Sequence, residues 1–295
     1  IKAACMYASE KPSMLFYAMG ITQHTHGTDN VLATSNLALL TGNVGMYSTG
    51  VNPLRGQSNV QGACDLGALP NVYPGYQKVT DKQMKEKMES LWNTSLSQKP
   101  GLTHLEIFDE IVQGKIKALY LVGENPVLSE ANANHVKAAL DKIPFFVAQD
   151  IFLTETAKFA DIVLPACTFA EKEGTITNTE RRVQRIRKVI EPIGNSRPDW
   201  EITCNIAKKM EKQGFDFNNS SEIMEEIAQV SPIYAGIAYD RIKKTGIQWP
   251  CLNKFHPGTP YLHKDKFKIP SGKGKLIPLT YKSPAEKPEI GRAHV

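Results

Sequence analysis

One stretch of the chain, residues 51–67, combines a single cation with several amide side chains. Arg55 is its only basic residue, and Gln57, Asn59 and Gln61 each carry both donors and an acceptor. Because a guanidinium presents a planar fork of donors, Arg55 can bind a carboxylate or a phosphate through parallel hydrogen bonds. The stretch therefore indicates a loop that contacts a flat polar ligand, and a solvated surface loop is the alternative.

The same stretch resembles a known family. Residues 55–65 read RGQSNVQGACD, and this run is similar to the catalytic subunit of molybdenum- or tungsten-dependent formate dehydrogenases, within the bis-molybdopterin guanine dinucleotide (bis-MGD) oxidoreductases. The resemblance implies that Arg55 lies at the active site and orients formate. It also implies that Gln57 contacts a pterin of the cofactor.

The segment upstream of this loop predicts a strand, a polar loop and a helix. Residues 14–19 form a short apolar run, residues 20–28 are polar, and a helical pattern follows from Val31 to Leu40. Thr28 or Asp29 would cap that helix and Gly42 would end it. This order of elements is the usual way of holding a phosphate or polar cofactor beyond a strand.

Two histidines in the polar loop raise the possibility of a metal site. His24 and His26 alternate along the segment, and imidazole is a common metal ligand. No third ligand is evident nearby, so we expect no metal-ligating residue in this chain. The family resemblance instead implies that this loop contacts a pterin through Gly20, Thr22 and Gln23, with His24 lining the same region.

The middle of the chain alternates between strand and helix patterns. The pattern predicts a strand over residues 116–122, a turn over 123–126 and a helix over 129–142. A strand over 145–149, a short helix over 154–157 and a strand over 160–165 follow. Such repetition favours an α/β fold with a doubly wound, mostly parallel sheet. Ligands of these sheets bind beyond the carboxyl ends of the strands, here residues 123–125 and 149–150.

Asp150 is the sharpest candidate at these strand ends. Guanine presents two adjacent donors on one edge, and a carboxylate can accept both, although an Asp here could instead cap the helix through Thr154. Gly123 would let a diphosphate approach the backbone. The resemblance implies cofactor contacts for Gly123, Asn125, Asp150 and Thr154.

Residues 171–188 read as an extended hairpin with an Asn-containing turn. Several arginines could suggest a nucleic-acid surface, but no aromatic side chains accompany them, so we expect no nucleic-acid partner. The resemblance implies that Asn178 and Arg181 meet the polar end of the cofactor.

The last part of the chain predicts scaffold and then a linker. Helices are predicted over residues 199–214, 221–229 and 234–243, and from residue 251 the chain is rich in Pro, Lys and Gly, with a hairpin near residues 271–274. Residues 290–295 correspond to the translation of a common sequencing-adapter run, so we expect that they are not a natural C-terminus.

These patterns suggest three regions. Residues 1–57 are expected to be the end of one pterin-binding α/β domain. They finish in the loop that carries Arg55, called the arginine loop below. Residues 58–250 would form a second cofactor-binding α/β domain with the inserted hairpin, and residues 251–295 would lead toward a further C-terminal domain.

Composition bounds the class of protein. The 295 residues carry a net charge of +5, with 41% hydrophobic and 22% charged residues, which is typical of a globular protein. No apolar run reaches the roughly 20 residues that cross a bilayer, so we expect no membrane span and a cytoplasmic location. The five cysteines are widely separated, which favours reduced thiols over a zinc or iron–sulfur site within this chain.

The resemblance implies a formate dehydrogenase that oxidises formate to carbon dioxide at a bis-MGD centre with molybdenum or tungsten. It also implies a [4Fe-4S] cluster and a cysteine or selenocysteine metal ligand in an N-terminal part outside this chain, a C-terminal domain, and iron–sulfur or flavin electron-transfer subunits. The isolated chain is expected to be inactive. Three alternatives are another molybdopterin oxidoreductase such as a nitrate reductase, a cofactor-binding scaffold subunit without catalysis, and a plain nucleotide-binding module.

Overall fold

A computed structural model describes residues 1–283 of the chain and divides them into two units. The first unit is discontinuous: it contains Ile1–Gln61, Thr177–Arg182 and the chain from Gly258. The second contains Gly62–Ile176 and Val183–Pro257. Residues 290–295, for which an adapter origin was predicted, lie outside the described residues.

The first unit is built on a pair of short parallel strands. Helix α1 (Lys2–Ser9) precedes strand β1 (Met14–Tyr17), which is followed by α2 (Met19–Thr22), α3 (Gly27–Thr41) and β2 (Gly50–Pro53). Strands β1 and β2 pair in parallel, with Met14 opposite Gly50. Their carboxyl ends therefore lie side by side.

The polar segment after β1 differs from the prediction of a loop over residues 20–28. Met19–Thr22 form a helical turn, and α3 starts at Gly27 with His26, rather than Thr28 or Asp29, as its N-cap. This arrangement requires a residue without a side chain at position 27, because a Cβ there would lie 2.0 Å from the carbonyl oxygen of Thr22. The predicted end of the helix is confirmed, since Gly42 is left-handed (φ 71°) and its N–H donates to Ala38 and Leu39.

Helix α4 (Val60–Asp65) contains the boundary between the units, since its first two residues belong to the first unit and the rest to the second. The second unit continues with the antiparallel strands β3 (Val72–Tyr73) and β4 (Gln77–Lys78). Helices α5 (Lys82–Trp92) and α6 (His104–Val112) follow. Thr103 and Glu106 have the spacing of a capping box, and such a box is present at the start of α6.

A three-stranded parallel sheet forms the centre of this unit. It consists of β5 (Leu119–Val122), β6 (Phe146–Asp150) and β7 (Ile162–Pro165), in that order. Between β5 and β6 lie two helices, α7 (Pro126–Ser129) and α8 (Ala133–Leu140), rather than the single predicted one. The interruption arises where Asn132 Oδ1 accepts the N–H of His135 and caps α8. The mixed α/β class with parallel strands is confirmed.

The core of the sheet region packs α6 and α8 against β6. Its buried members share apolar side chains and include Phe108, Ile111, Val136, Leu140 and Phe146. The apolar side chains of α6 thus lie on one face, as the 3.6-residue period requires, and this face packs into the core.

The remaining elements surround a second sheet. Strands β8 (Gly174–Thr177), β9 (Arg182–Ile186) and β10 (Ile247–Gln248) lie in the order β10-β9-β8, and α9 (Asp199–Lys209) and α10 (Ser220–Val230) lie between β9 and β10 in sequence. The helix predicted over residues 234–243 is wrong, because this segment forms turns. There Gly236 packs against another backbone segment, and a Cβ on it would lie 2.0 Å from the Asn253 oxygen.

Residues 258–283 contain no helix or strand and belong to the first unit. The hairpin predicted near residues 271–274 is only a turn, in which the Phe267 N–H donates to Gly272 over 3.0 Å. Within the part of the chain described, no helix is long and apolar enough to span a bilayer.

Candidate functional site

The arginine loop directly follows β2 in the first unit. The N–H of Leu54 donates to Tyr17 over 2.7 Å and continues the β1–β2 pairing by one residue. Beyond this point the Arg55 N–H donates to Thr179 Oγ1 over 2.9 Å. At the other end of the loop, the Thr177 N–H donates to Asn59 Oδ1 over 2.9 Å. The loop is therefore tied at both ends to the turn between β8 and β9.

Residues 54–58 are all exposed. Over residues 1–283, the Arg55 guanidinium makes no ion pair and no hydrogen bond, and Gln57 uses only its backbone, accepting from Val60. An exposed guanidinium on an anchored backbone can take an anion without first breaking an internal contact.

The pterin-contact residues predicted upstream lie on and just after α2. Because β1 and β2 are parallel neighbours, α2 and the arginine loop leave the same edge of the strand pair. Gly20, Thr22, Gln23 and His24 are all exposed. The structure therefore brings these four residues to the same end of the strand pair as Arg55 and Gln57.

The two loop histidines stack on each other. Their ring centroids are 5.8 Å apart, and His24 Nε2 donates to the Gly20 oxygen over 3.0 Å. Across residues 1–283, no group of three His, Cys, Asp or Glu side chains is arranged to hold a metal ion.

The hairpin turn holds Asn178 and Arg181. Asn178 Oδ1 accepts the Arg182 N–H over 3.0 Å, and its amide donates to Glu180 over 3.3 Å. Arg181 is left-handed (φ 67°), and its guanidinium donates to the oxygens of Thr259 and Pro260. In this structure, both side chains thus stabilise the turn and the segment beside it.

The second unit carries the other predicted cofactor residues, at the carboxyl ends of β5 and β6. Gly123 follows β5 in a left-handed conformation (φ 66°), and apart from its chain neighbours no atom of residues 1–283 lies within 4 Å of its Cβ position. Its N–H donates to Gln149 of β6 over 2.9 Å. A ligand could therefore approach the backbone here without meeting a side chain.

Asn125 is bound to the loop after β6. Its Oδ1 accepts from Thr156 Oγ1 over 2.7 Å and from the Thr156 N–H over 3.3 Å, while its amide donates to Glu155 over 2.9 Å. The hydrogen bond from the Asn125 amide is the main cause of the lowered pKa of Glu155. Thr156 is fully buried and also accepts the Val127 N–H over 3.0 Å. Asn125 therefore positions the two loops relative to each other.

Asp150 and Thr154 shape the second of these loops. Asp150 Oδ1 accepts the N–H groups of Ile151 and Phe152 over 2.6 and 3.2 Å. Thr154 Oγ1 accepts the Ala157 N–H over 3.1 Å, at the start of the 3-10 helix Ala157–Phe159. One Asp150 oxygen thus orders the loop, and within residues 1–283 the second accepts no hydrogen bond.

Three contributors to these sites went unrecognised in the sequence. Thr179 and Asn59 anchor the arginine loop, and Thr156 joins the loops of the second unit. Thr179 lies 124 positions from Arg55, so no local pattern could have indicated the contact. For Asn59, the only signal was its place within the family-like run.

Exposed polar loops beyond parallel strands define a class of protein, the cofactor-binding α/β proteins. A family model described as Molybdopterin oxidoreductase matches residues 6–209. The chain belongs to the molybdopterin oxidoreductase family.

Individual relatives agree with this assignment. The chain is 52% identical over 291 residues to a protein named F420-dependent formate dehydrogenase subunit alpha from Methanocaldococcus jannaschii, covering 98% of this chain and 43% of that protein. It is 51% identical over 288 residues to F420-dependent formate dehydrogenase 2 subunit alpha from Methanococcus maripaludis, covering 97% and 42%. The chain thus spans less than half the length of these relatives.

Among solved structures, acetylene hydratase from Pelobacter acetylenicus is similar, with a TM-score of 0.58 and 18% identity over 84% of this chain and 36% of that one. At this identity the likeness bears on the fold alone. It agrees with the predicted α/β class.

Proposed function

We propose that this chain is the middle part of a formate dehydrogenase catalytic subunit, which oxidises formate to carbon dioxide. The observation that carries the proposal is the exposed Arg55 guanidinium, without a side-chain partner in residues 1–283, on a loop anchored at both ends. The names of the two relatives support the same substrate.

Arg55 would bind the formate anion through charge-assisted hydrogen bonds. Oxidation converts this anion into neutral carbon dioxide, a proton and two electrons. The attraction to the guanidinium is therefore lost in the product, which favours its release. An arginine is suited to this role because a guanidinium stays charged throughout the neutral pH range in which formate is an anion.

The family implies a molybdopterin cofactor, and the finer proposal is bis-MGD with molybdenum or tungsten. The groups present fit such a ligand, since Gly123 leaves its backbone open and Asp150 keeps one carboxylate oxygen for donors such as those of guanine. When bound, the cofactor supplies the metal centre that accepts the two electrons.

The residues that would hold the cofactor fall into two sets. In the first unit, pterin contacts would come from Gly20, Thr22, Gln23, His24 and Gln57, with Asn178 and Arg181 shaping the neighbouring turn. In the second unit, nucleotide contacts would come from Gly123, Asp150 and Thr154, with Asn125 orienting their loops.

The wider assembly is proposed from the family resemblance. The chain covers 43% of the Methanocaldococcus protein, and we place a [4Fe-4S] cluster and the metal-ligating residue in other parts of the same subunit. Iron–sulfur or flavin subunits would carry the electrons onward. A cytoplasmic location is supported by five free cysteines, a pattern typical of reducing compartments.

The test is formate oxidation by the full-length subunit that contains this chain, with Arg55→Ala, Arg55→Lys and Arg197→Ala variants. Arg197 is also exposed and, among the described residues, uses only its backbone for hydrogen bonds, so its variant is a matched control. Losing a bidentate charge-assisted contact should lower kcat/KM by about a hundredfold or more in Arg55→Ala. Lysine should restore it only in part, because it lacks the planar fork.

Activity is to be expressed per bound molybdenum or tungsten. A wild-type subunit that carries cofactor but does not oxidise formate would show that the proposed function is wrong. An Arg55→Ala variant as active as the wild type would remove Arg55 from the mechanism.

A further inference from the structure

We propose that Thr179 is a positioning residue for Arg55, holding the arginine backbone so that the guanidinium faces the substrate. This inference rests on the proposed function. It follows from one contact, the Arg55 N–H donating to Thr179 Oγ1 over 2.9 Å, and from what surrounds that contact on both sides.

Apart from this bond, the arginine loop is held at its other end, where Asn59 accepts the Thr177 N–H. Its β-type pairing ends when the Leu54 N–H donates to Tyr17, and at the following Gly56 no described residue other than the chain neighbours comes within 4 Å of the Cβ position. Exposed backbone next to glycine has wide conformational freedom, which must be lost before a side chain can bind with fixed geometry. The bond to Thr179 restrains the one residue whose direction matters.

Thr179 is itself well placed to act as a fixed acceptor. It sits inside a turn closed by the Arg181 N–H donating to the Asn178 oxygen over 2.9 Å and by Asn178 Oδ1 accepting from Arg182. The neighbouring Thr177 is buried, and its N–H holds Asn59. A β-branched threonine also has few rotamers, so its hydroxyl keeps its direction.

The side chain of Arg181 connects this turn to the segment beside it. Its guanidinium donates to Thr259 and Pro260 over 3.1 and 3.2 Å. The Thr179 hydroxyl that accepts from Arg55 is therefore part of a turn held by several other hydrogen bonds. Removing this hydroxyl should change the arginine loop more than the turn.

The chemical consequence is specific. A mobile Arg55 keeps its charge but must be ordered anew each time formate binds, which weakens the complex and its transition state alike. We expect Thr179→Val, which keeps the shape and removes the acceptor, to raise KM for formate about tenfold, the size of one net hydrogen bond. The value of kcat per bound metal should stay within about twofold, because binding in both states is weakened equally.

The experiment compares the full-length wild-type subunit with Thr179→Val, Thr179→Ser and Thr175→Val. Serine retains the hydroxyl and should restore KM to within about threefold of the wild type, the difference being its freer rotamer. Thr175 lies in the same hairpin and makes no side-chain hydrogen bond within residues 1–283, so its valine variant controls for the substitution.

A second readout does not depend on activity. The Arg55 amide is protected by its bond to Thr179, so hydrogen exchange at this amide, followed by mass spectrometry with residue-level fragmentation, should be about tenfold faster in Thr179→Val. The rate should be unchanged in Thr175→Val and nearly unchanged in Thr179→Ser.

The outcomes separate the two proposals. If the wild type oxidises formate and Thr179→Val matches it in KM and in Arg55 exchange, the positioning role is overturned. It is equally overturned if Thr179→Val loses activity only in proportion to lost cofactor or folded protein. If the wild type with cofactor oxidises no formate, the proposed function fails, whereas the exchange result still reports on the contact itself.

Discussion

At the scale of single residues, the carboxylate of Asp65 in the second unit is a buried charged group that requires hydrogen-bond donors. Asp65 is fully buried, and a buried carboxylate is costly unless donors surround it. Its oxygens accept from Tyr76 over 2.7 Å, Tyr234 over 2.8 Å and Trp249 over 2.6 Å. The family-like run thus contributes a structural centre to the second unit as well as the arginine of the first.

We expect Asp65→Ala to lower the free energy of unfolding of this unit by about 3 kcal/mol or more, because three donors, among them the fully buried Tyr234, lose a charged acceptor. For a unit of this size the melting temperature should fall by roughly 6–12 °C. Differential scanning fluorimetry of the intact subunit measures this shift. The control is Asp240→Ala, since Asp240 is exposed and should change stability by no more than about 0.5 kcal/mol. Equal melting temperatures for the two variants would contradict the argument.

At the scale of elements, connections are set by side chains that bind backbone across a turn. Glu171 ends the 3-10 helix Phe169–Glu171 and is buried. Its carboxylate accepts the Thr168 N–H over 2.8 Å and the Ile193 N–H over 2.9 Å. Hydrogen bonding from Thr168, followed by that from Ile193, lowers the pKa of Glu171 below its ordinary 4.5 despite the opposing effect of burial.

The lowered pKa sets a pH dependence. A carboxyl group whose pKa is lower in the folded state stabilises that state above its unfolded pKa, and this contribution is lost as pH falls through the folded pKa. Glu171→Gln should therefore melt below the wild type at pH 7, and the two melting temperatures should converge as pH falls below about 4.5.

The matched control for this pH series is Glu225→Gln, on the exposed face of α10. Its melting temperature should follow the wild type at each pH. A Glu171→Gln difference that stayed constant from pH 7 to pH 3 would show that the ionised carboxylate is not the stabilising species.

At the scale of the whole molecule, the first unit is assembled from three separate stretches of chain. Its last stretch returns to α3, where the Asn36 amide donates to the Ile277 oxygen over 2.7 Å and Asn36 Oδ1 accepts the Ile277 N–H over 3.1 Å. Gly274 lies along the same path, where a Cβ would come within 2.6 Å of Leu39 and 3.2 Å of Phe267. The region predicted as a linker is thus folded against the start of the chain.

Removing the Asn36 side chain should release this stretch. In Asn36→Ala both hydrogen bonds to Ile277 are lost, and trypsin should cleave after Lys268, Lys273 or Lys275 several times faster than in the wild type, since cleavage follows local opening. Timed digestion with mass spectrometry gives the rates. Ser35→Ala, at the neighbouring position of α3, should digest like the wild type, and an Asn36→Ala variant that resists trypsin equally would contradict the assigned contact.

Local patterns in the sequence were enough for several elements. The capping box of α6, the glycine that ends α3 and the succession of parallel strands all depend on residues within a few positions of each other, or on a repeating apolar period. The run around Arg55 was likewise specific enough to indicate the family from the sequence.

Other features were decided only by tertiary structure. The helical turn before Gly27, the turns around Gly236 and the anchoring of Arg55 by Thr179 depend on close approaches of backbone and side chains that a linear pattern does not encode. For the arginine loop, the residue types alone determined that an anion could be bound. The contact that holds the Arg55 backbone comes from a turn 124 positions away, because a hydrogen bond requires proximity in space and not in sequence.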